Sequence, residues 1–122
     1  PILIETGAEA VAGSTRLKAG TAQKIVLNLF STAVMIQLGR VYRGLMVDMR
    51  PTNAKLRQRA EQMVVKLTGC ESGVAADALV RAGRDVKLAV LVLQGMSVDD
   101  ARALIGQSRG DLRAALDAAR ES

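Results

Sequence analysis

Gly13-Ser14-Thr15-Arg16-Leu17-Lys18 places two hydroxyls and two cations just ahead of a long apolar stretch. If that stretch is a helix, its first turn presents backbone N–H groups without intrahelical partners and a partial positive charge, which together favour a phosphate or carboxylate. With a helix beginning near Thr15, Ser14, Lys18 and Thr21 share one face at i, i+4 and i+7, so hydroxyl and ammonium groups converge. Simple capping accounts for the same residues equally well, with Ser14 or Thr15 as N-cap and Arg16 and Lys18 as solvated charges. The segment is not a nucleotide P-loop, and no Gly-x-Gly-x-x-Gly occurs in the chain.

The elements that would position this segment can be read from the apolar pattern. The apolar run at residues 2–4 predicts a short buried strand. A loop through Gly7 and Gly13 leads to a helix from about Thr15 or Gly20 to Leu38, apolar on nearly every face and therefore expected to be buried. Gly39 suits the C′ position of that helix, with Arg40 and Arg43 near its negative end. Residues 44–51 read as irregular. Thr52 or Asn53 can cap a second, amphipathic helix whose apolar stripe is Leu56, Ala60, Met63, Val64 and Leu67, ending at Gly69.

Beyond Gly69 short helices alternate with glycines at 83, 95, 106 and 110. Ser72 is expected to cap the first, Ser97-x-x-Asp100 resembles a capping box, and Asp111 can cap the last. Residues 86–93 are apolar except for Lys87, and their setting among helices favours a buried helix over a strand. The chain is thus expected to be predominantly α, divided into residues 1–69 and a small helical module at 70–122.

Composition narrows the function classes. The chain has 122 residues, 49% hydrophobic but only 2% aromatic, so its core must be built from aliphatic residues, which favours helix packing. A net charge of +5 favours anionic partners without naming one. One cysteine, Cys70, and no histidine exclude an internal disulfide and the usual zinc or iron constellations. Cys70, with no cation beside it, reads as a small structural residue. This predicts a reducing, cytoplasmic setting with no metal or cofactor. Asn28, Ser31, Thr32 and Gln37 interrupt the longest apolar stretch, so no membrane span is expected. Pro1 opens directly into an apolar run without an initiator Met, as expected of a piece of a longer protein. The five methionines read as gap-filling core or interface residues.

Gly7-Ala8-Glu9 and the run Gly13-Ser14-Thr15-Arg16-Leu17-Lys18-Ala19-Gly20-Thr21-Ala22-Gln23-Lys24 resemble the signature of the N-acetylmuramic acid 6-phosphate etherases, a family related to the glucokinase regulatory proteins. The likeness continues through Val26-Leu27-Asn28, Leu38-Gly39-Arg40-Val41-Tyr42, Leu45-Met46-Val47-Asp48, Thr52-Asn53-Ala54-Lys55-Leu56 and Thr68-Gly69-Cys70. The resemblance implies the C-terminal portion of such a protein. Residues 1–69 would be the last strand and closing helices of an α/β phosphosugar-binding sandwich of the sugar isomerase (SIS) type. Residues 70–122 would be a helical module similar to ubiquitin-associated domains.

The implied activity is a lyase reaction that cleaves the D-lactyl ether of N-acetylmuramic acid 6-phosphate to N-acetylglucosamine 6-phosphate and D-lactate, in peptidoglycan recycling. It would proceed by removal of the proton at C2 of the sugar, loss of lactate and addition of water, and it needs a carboxylate at that carbon. No segment here matches the family's motifs for its catalytic glutamates, so no catalytic residue is assigned and the isolated chain is expected to be inactive. The resemblance makes Glu9, Ser14, Thr15, Arg16 and Lys18 the candidate substrate-binding residues. Glu9 would touch a sugar hydroxyl or support Arg16 or Lys18, a structural role being equally open. The family's Gly-Pro-Glu is Gly7-Ala8-Glu9 here, which loosens the loop where proline would fix it. A homodimer is implied, with a phosphorylated amino sugar as ligand and neither nucleic acid nor membrane as partner.

Two other readings compete. One is a non-catalytic phosphosugar-binding regulator on the same fold. The other is a basic helical interaction or nucleic-acid-binding module, suggested by Arg40, Arg43, Arg50, Lys55, Arg57 and Arg59. Only Tyr42 accompanies these cations as a stacking aromatic, which favours a solvated rim instead.

Overall fold

The computed structural model describes residues 1–121 and is predominantly helical. It divides into two compact units, Pro1–Met35 and Ile36–Ser122. The compositional boundary at 69/70 falls inside the second.

In the first unit an irregular segment leads into helix α1, Ala19–Gln37. Residues 2–4 form no strand, contrary to the apolar run's prediction, and Leu3 is 86% exposed. A strand needs a ladder partner for its N–H and C=O groups, and among the described residues none pairs with this one. The expected burial of α1 also fails. None of its residues is buried, and Phe30 is 70% exposed. An apolar helix is buried only where something covers it. Its uncharged polar residues do not lower its hydropathy enough to exclude a span: α1 has 19 residues and a mean hydropathy of 1.2, sufficient by length and composition alone to cross a bilayer. Core helices of soluble proteins pass the same test.

The second unit begins with the last two residues of α1. Gly39 turns the chain at φ +65°, and a Cβ there would lie 2.8 Å from Cα of Asp111, so only glycine permits this approach. A hairpin follows, β1 (Val41–Tyr42) against β2 (Leu45–Met46), antiparallel, with Val41 opposite Met46 and Tyr42 opposite Leu45. Arg43 (φ +47°) and Gly44 (φ +74°) make its two-residue turn, the left-handed pair that matches strand twist. Part of this hairpin replaces the irregular stretch expected from residue 44. The guanidiniums of Arg43 and Arg113 lie over the Tyr42 ring, at 5.4 and 5.5 Å from its centroid.

Five helices complete the unit: α2 (Ala54–Thr68), α3 (Ser72–Arg81), α4 (Val86–Leu93), α5 (Val98–Gln107) and α6 (Leu112–Glu121). Asn53 caps α2 through its side chain to the Leu56 amide at 2.9 Å, and Gly69 closes it in the left-handed conformation. Ser72 does not cap α3. It lies inside the helix, after Glu71, and its hydroxyl donates to the Glu61 carboxylate, tying α3 to α2. Ser97 caps α5 by accepting from the Asp100 amide at 3.1 Å. The Asp100 carboxylate takes the Ser97 hydroxyl rather than the backbone N–H a capping box uses, consistent with aspartate being one methylene shorter than glutamate. Asp111 caps α6 through the amides of Arg113 and Ala114.

α4 is the centre of the unit. It packs against α2, α3 and α5, and residues 86–92 are all buried. Around it lie Val47, Ala60, Met63, Val64, Ala75, Leu79, Ala101, Leu112 and Ala115. Small alanines on the facing helices allow the close approach that a nearly aromatic-free core requires. Lys87, only 5% exposed, is admitted because its ammonium donates to the Gly110 carbonyl at 2.7 Å and faces the Asp48 carboxylate at 3.6 Å. Asp48 also meets Arg40 at 3.3 Å. One buried cation thus joins the segment after the hairpin, α4 and the α5–α6 turn.

Candidate functional site

The 13–18 segment is a series of turns ahead of α1, because the helix begins at Ala19 rather than near Thr15. Ser14, Lys18 and Thr21 therefore do not share a helical face. The Ser14 amide donates to the Val11 carbonyl at 3.1 Å, and the Gly20 amide donates to the Thr15 carbonyl at 2.8 Å. A side chain at Gly20 would press on that carbonyl, at 3.2 Å. Gly7 and Gly13 turn the loop at φ +70° and +80°.

The place an anion would take at the start of α1 is occupied by Glu9. Both of its carboxylate oxygens accept from the Lys18 amide at 3.1 Å, and Oε1 also accepts from the Ala19 amide at 3.1 Å. The Lys18 ammonium reaches back to donate to the Ala8 carbonyl at 2.7 Å. Residues 8–9 and 18–19 are clasped in both directions, and the loop between them is held as a closed excursion. Glu9 supports Lys18, but through its backbone amide rather than its ammonium. With Ala8 in place of a proline, the loop is still tied at this residue, by the carbonyl that Lys18 holds.

The structure therefore brings Glu9 and Lys18 together and leaves the other three candidates apart from them. Ser14 is half-buried, and Thr15 and Arg16 are exposed. Among the described residues, nothing hydrogen-bonds to the hydroxyls of Ser14 and Thr15, and no carboxylate pairs with Arg16. They are the groups free to meet a ligand. Beside α1, Ile2, Leu3, Ile4, Val26 and Leu27 line an apolar groove of about 490 Å³. The Glu9 clasp is the part that spacing does not reveal. A carboxylate ten residues before a helix start is outside any capping pattern, and the chain turns back between them through Gly7 and Gly13.

Among the described residues no group of three or more His, Cys, Asp or Glu side chains is placed to hold a metal ion. The six cations between residues 40 and 59 are all exposed. Arg40 is committed to Asp48 and Arg43 to the Tyr42 ring.

Comparison with curated proteins supplies what the geometry leaves open. Over nearly its whole length the chain resembles bacterial N-acetylmuramic acid 6-phosphate etherases. It is 50% identical over 117 residues to the etherase of Halalkalibacterium halodurans, covering 95% of this chain and 39% of that protein. With the etherase of Cutibacterium acnes it shares 51% identity over 118 residues, 96% of this chain and 39% of the relative. N-acetylmuramic acid 6-phosphate etherase 2 of Lactiplantibacillus plantarum is 47% identical over 118 residues, covering 96% and 40% respectively. The chain spans about two-fifths of the length of these relatives. No family model matches it.

Proposed function

We propose that this chain is part of a carbon–oxygen lyase that cleaves the D-lactyl ether of N-acetylmuramic acid 6-phosphate, giving N-acetylglucosamine 6-phosphate and D-lactate in peptidoglycan recycling. The observation that carries this reading is identity of about half with etherases over 95% of the chain. In it, residues 1–69 are the C-terminal part of a sugar isomerase-type phosphosugar-binding domain and residues 70–122 a small helical module like the ubiquitin-associated domains. The enzyme is a cytoplasmic homodimer whose ligand is a phosphorylated amino sugar, with no part for nucleic acid or membrane.

Within that enzyme the 13–18 loop contributes substrate contacts. The hydroxyls of Ser14 and Thr15 donate to phosphate or sugar oxygens, and Arg16 supplies charge. Glu9 and Lys18 hold the loop in place at the start of α1. The carboxylate that removes the C2 proton comes from outside this chain, so the chain alone is inactive. Phe30, Leu27 and the groove beside α1 are covered in the whole enzyme.

A chimera tests this. Replacing the matching segment of the H. halodurans etherase with this chain is expected to give a folded enzyme that releases D-lactate from N-acetylmuramic acid 6-phosphate. A folded chimera that releases none would end the proposal.

A further inference from the structure

Three arginines distant in sequence line a single cleft of the 36–122 unit. Arg50 precedes Pro51 on the way from β2 to α2, Arg84 sits in the α3–α4 turn, and Arg102 lies on α5. The cleft encloses about 510 Å³, a size common for small-molecule sites. Val47 and Leu88, both buried, are also among its lining residues.

Two carboxylates also line the cleft, but both are already engaged. Asp48 is held by Arg40 and Lys87, and Asp85 accepts from the Leu88 amide at 3.1 Å as the cap of α4. Arg102 meets Asp99 at 3.5 Å, an exposed pair one turn away that competes weakly with a ligand. Arg50 and Arg84 have no ion pair among the described residues. Arg84 is fixed in place by its backbone, whose amide donates to the Leu79 carbonyl at 2.7 Å. The cleft thus holds more positive charge than its own residues neutralise, on three separate supports.

We propose that this cleft binds the phosphate monoester of a small polar molecule, as an anion site additional to the 13–18 loop. A phosphate dianion offers several acceptor oxygens in different directions, which suits arginines carried on three separate segments. The volume leaves room for an attached group the size of a sugar. Residues 13–18 contribute nothing to this site, and it does not depend on the lyase reading.

The test is an NMR titration of the ¹⁵N-labelled chain, following the arginine Nε–Hε signals with glucose 6-phosphate, inorganic phosphate and glucose. Saturable shifts at Arg50, Arg84 and Arg102 are expected with glucose 6-phosphate, weaker ones with phosphate and none with glucose. Arg102→Gln, on the exposed face of α5, and Arg50→Gln each remove one charge-assisted hydrogen bond to the ligand. Each is expected to weaken binding about tenfold with the amide spectrum otherwise preserved. The double variant Arg16→Gln, Lys18→Gln, at the separate loop, is expected to leave the saturable shifts of Arg50, Arg84 and Arg102 as they are. The proposal is overturned by absence of saturable shifts at Arg50, Arg84 and Arg102, by loss of those shifts in the 16/18 variant, or by a response to a short oligonucleotide but not to glucose 6-phosphate.

Discussion

Helices α1 and α4 are both apolar on almost every face, yet they end in opposite states. α4 has seven of its residues buried, with α2, α3 and α5 against it. α1 is more than twice as long and has none buried. Composition states what a helix can bury, whereas its neighbours decide whether it does. The 36–122 unit is consequently held by a core of tightly packed aliphatic side chains. The first unit is held by α1's own hydrogen bonds and by the Glu9–Lys18 clasp.

That contrast predicts where substitutions will matter. Leu91, fully buried at the centre of the second unit, is the most sensitive position. Leu91→Ala is expected to cost about 2–5 kcal/mol in urea unfolding monitored through α2–α6. Gly39→Ala comes next. It forces a side chain into a left-handed residue and against the start of α6, at an expected cost of about 1–3 kcal/mol by the same assay. Lys87→Met removes the donor to the Gly110 carbonyl and one partner of Asp48, and is expected to lower stability by about 1–3 kcal/mol. In the first unit the effects become local. Glu9→Ala is expected to weaken the start of α1 by about 0.5–2 kcal/mol, read as faster hydrogen exchange at the Lys18 and Ala19 amides with α2–α6 unchanged. Phe30→Ala is the sharpest contrast: it should change the stability of the chain by less than about 0.5 kcal/mol, where a buried phenylalanine would cost several times more. A large loss at Phe30 would mean that α1 is covered in solution, by a second copy or otherwise.

Much of the second unit is legible in the sequence because its signals are local. Asn53, Gly69, Ser97 and Asp111 mark helix ends through bonds that span only a few residues, and the run at 86–93 has no polar face to leave in water. The hairpin is nearly within reach, since Val41-Tyr42 and Leu45-Met46 flank a two-residue turn with Gly44. It escapes a sequence reading because two-residue strands give no alternation to follow. Ser72 misleads because a serine ahead of an apolar stripe fits either a cap or the first turn, and Glu61, eleven residues away, decides it. In the first unit the apolar run at residues 2–4 and the all-round apolar α1 both suggest burial. Such patterns record a demand for partners, and the partners need not lie in the same stretch of chain. The candidate site is half legible. The donors at Ser14, Thr15 and Arg16 are visible in the sequence, whereas the carboxylate of Glu9 filling the helix start requires the fold of the loop.

In the proposed etherase the 13–18 loop holds the phosphosugar. The most direct measurement is steady-state D-lactate release by the chimera with and without Arg16→Gln. The predicted result is a KM raised about tenfold, as removal of one charge-assisted hydrogen bond to the phosphosugar requires, with the chimera's fold intact. An unchanged KM and kcat in that variant, and again in Ser14→Ala with Thr15→Ala, would contradict it.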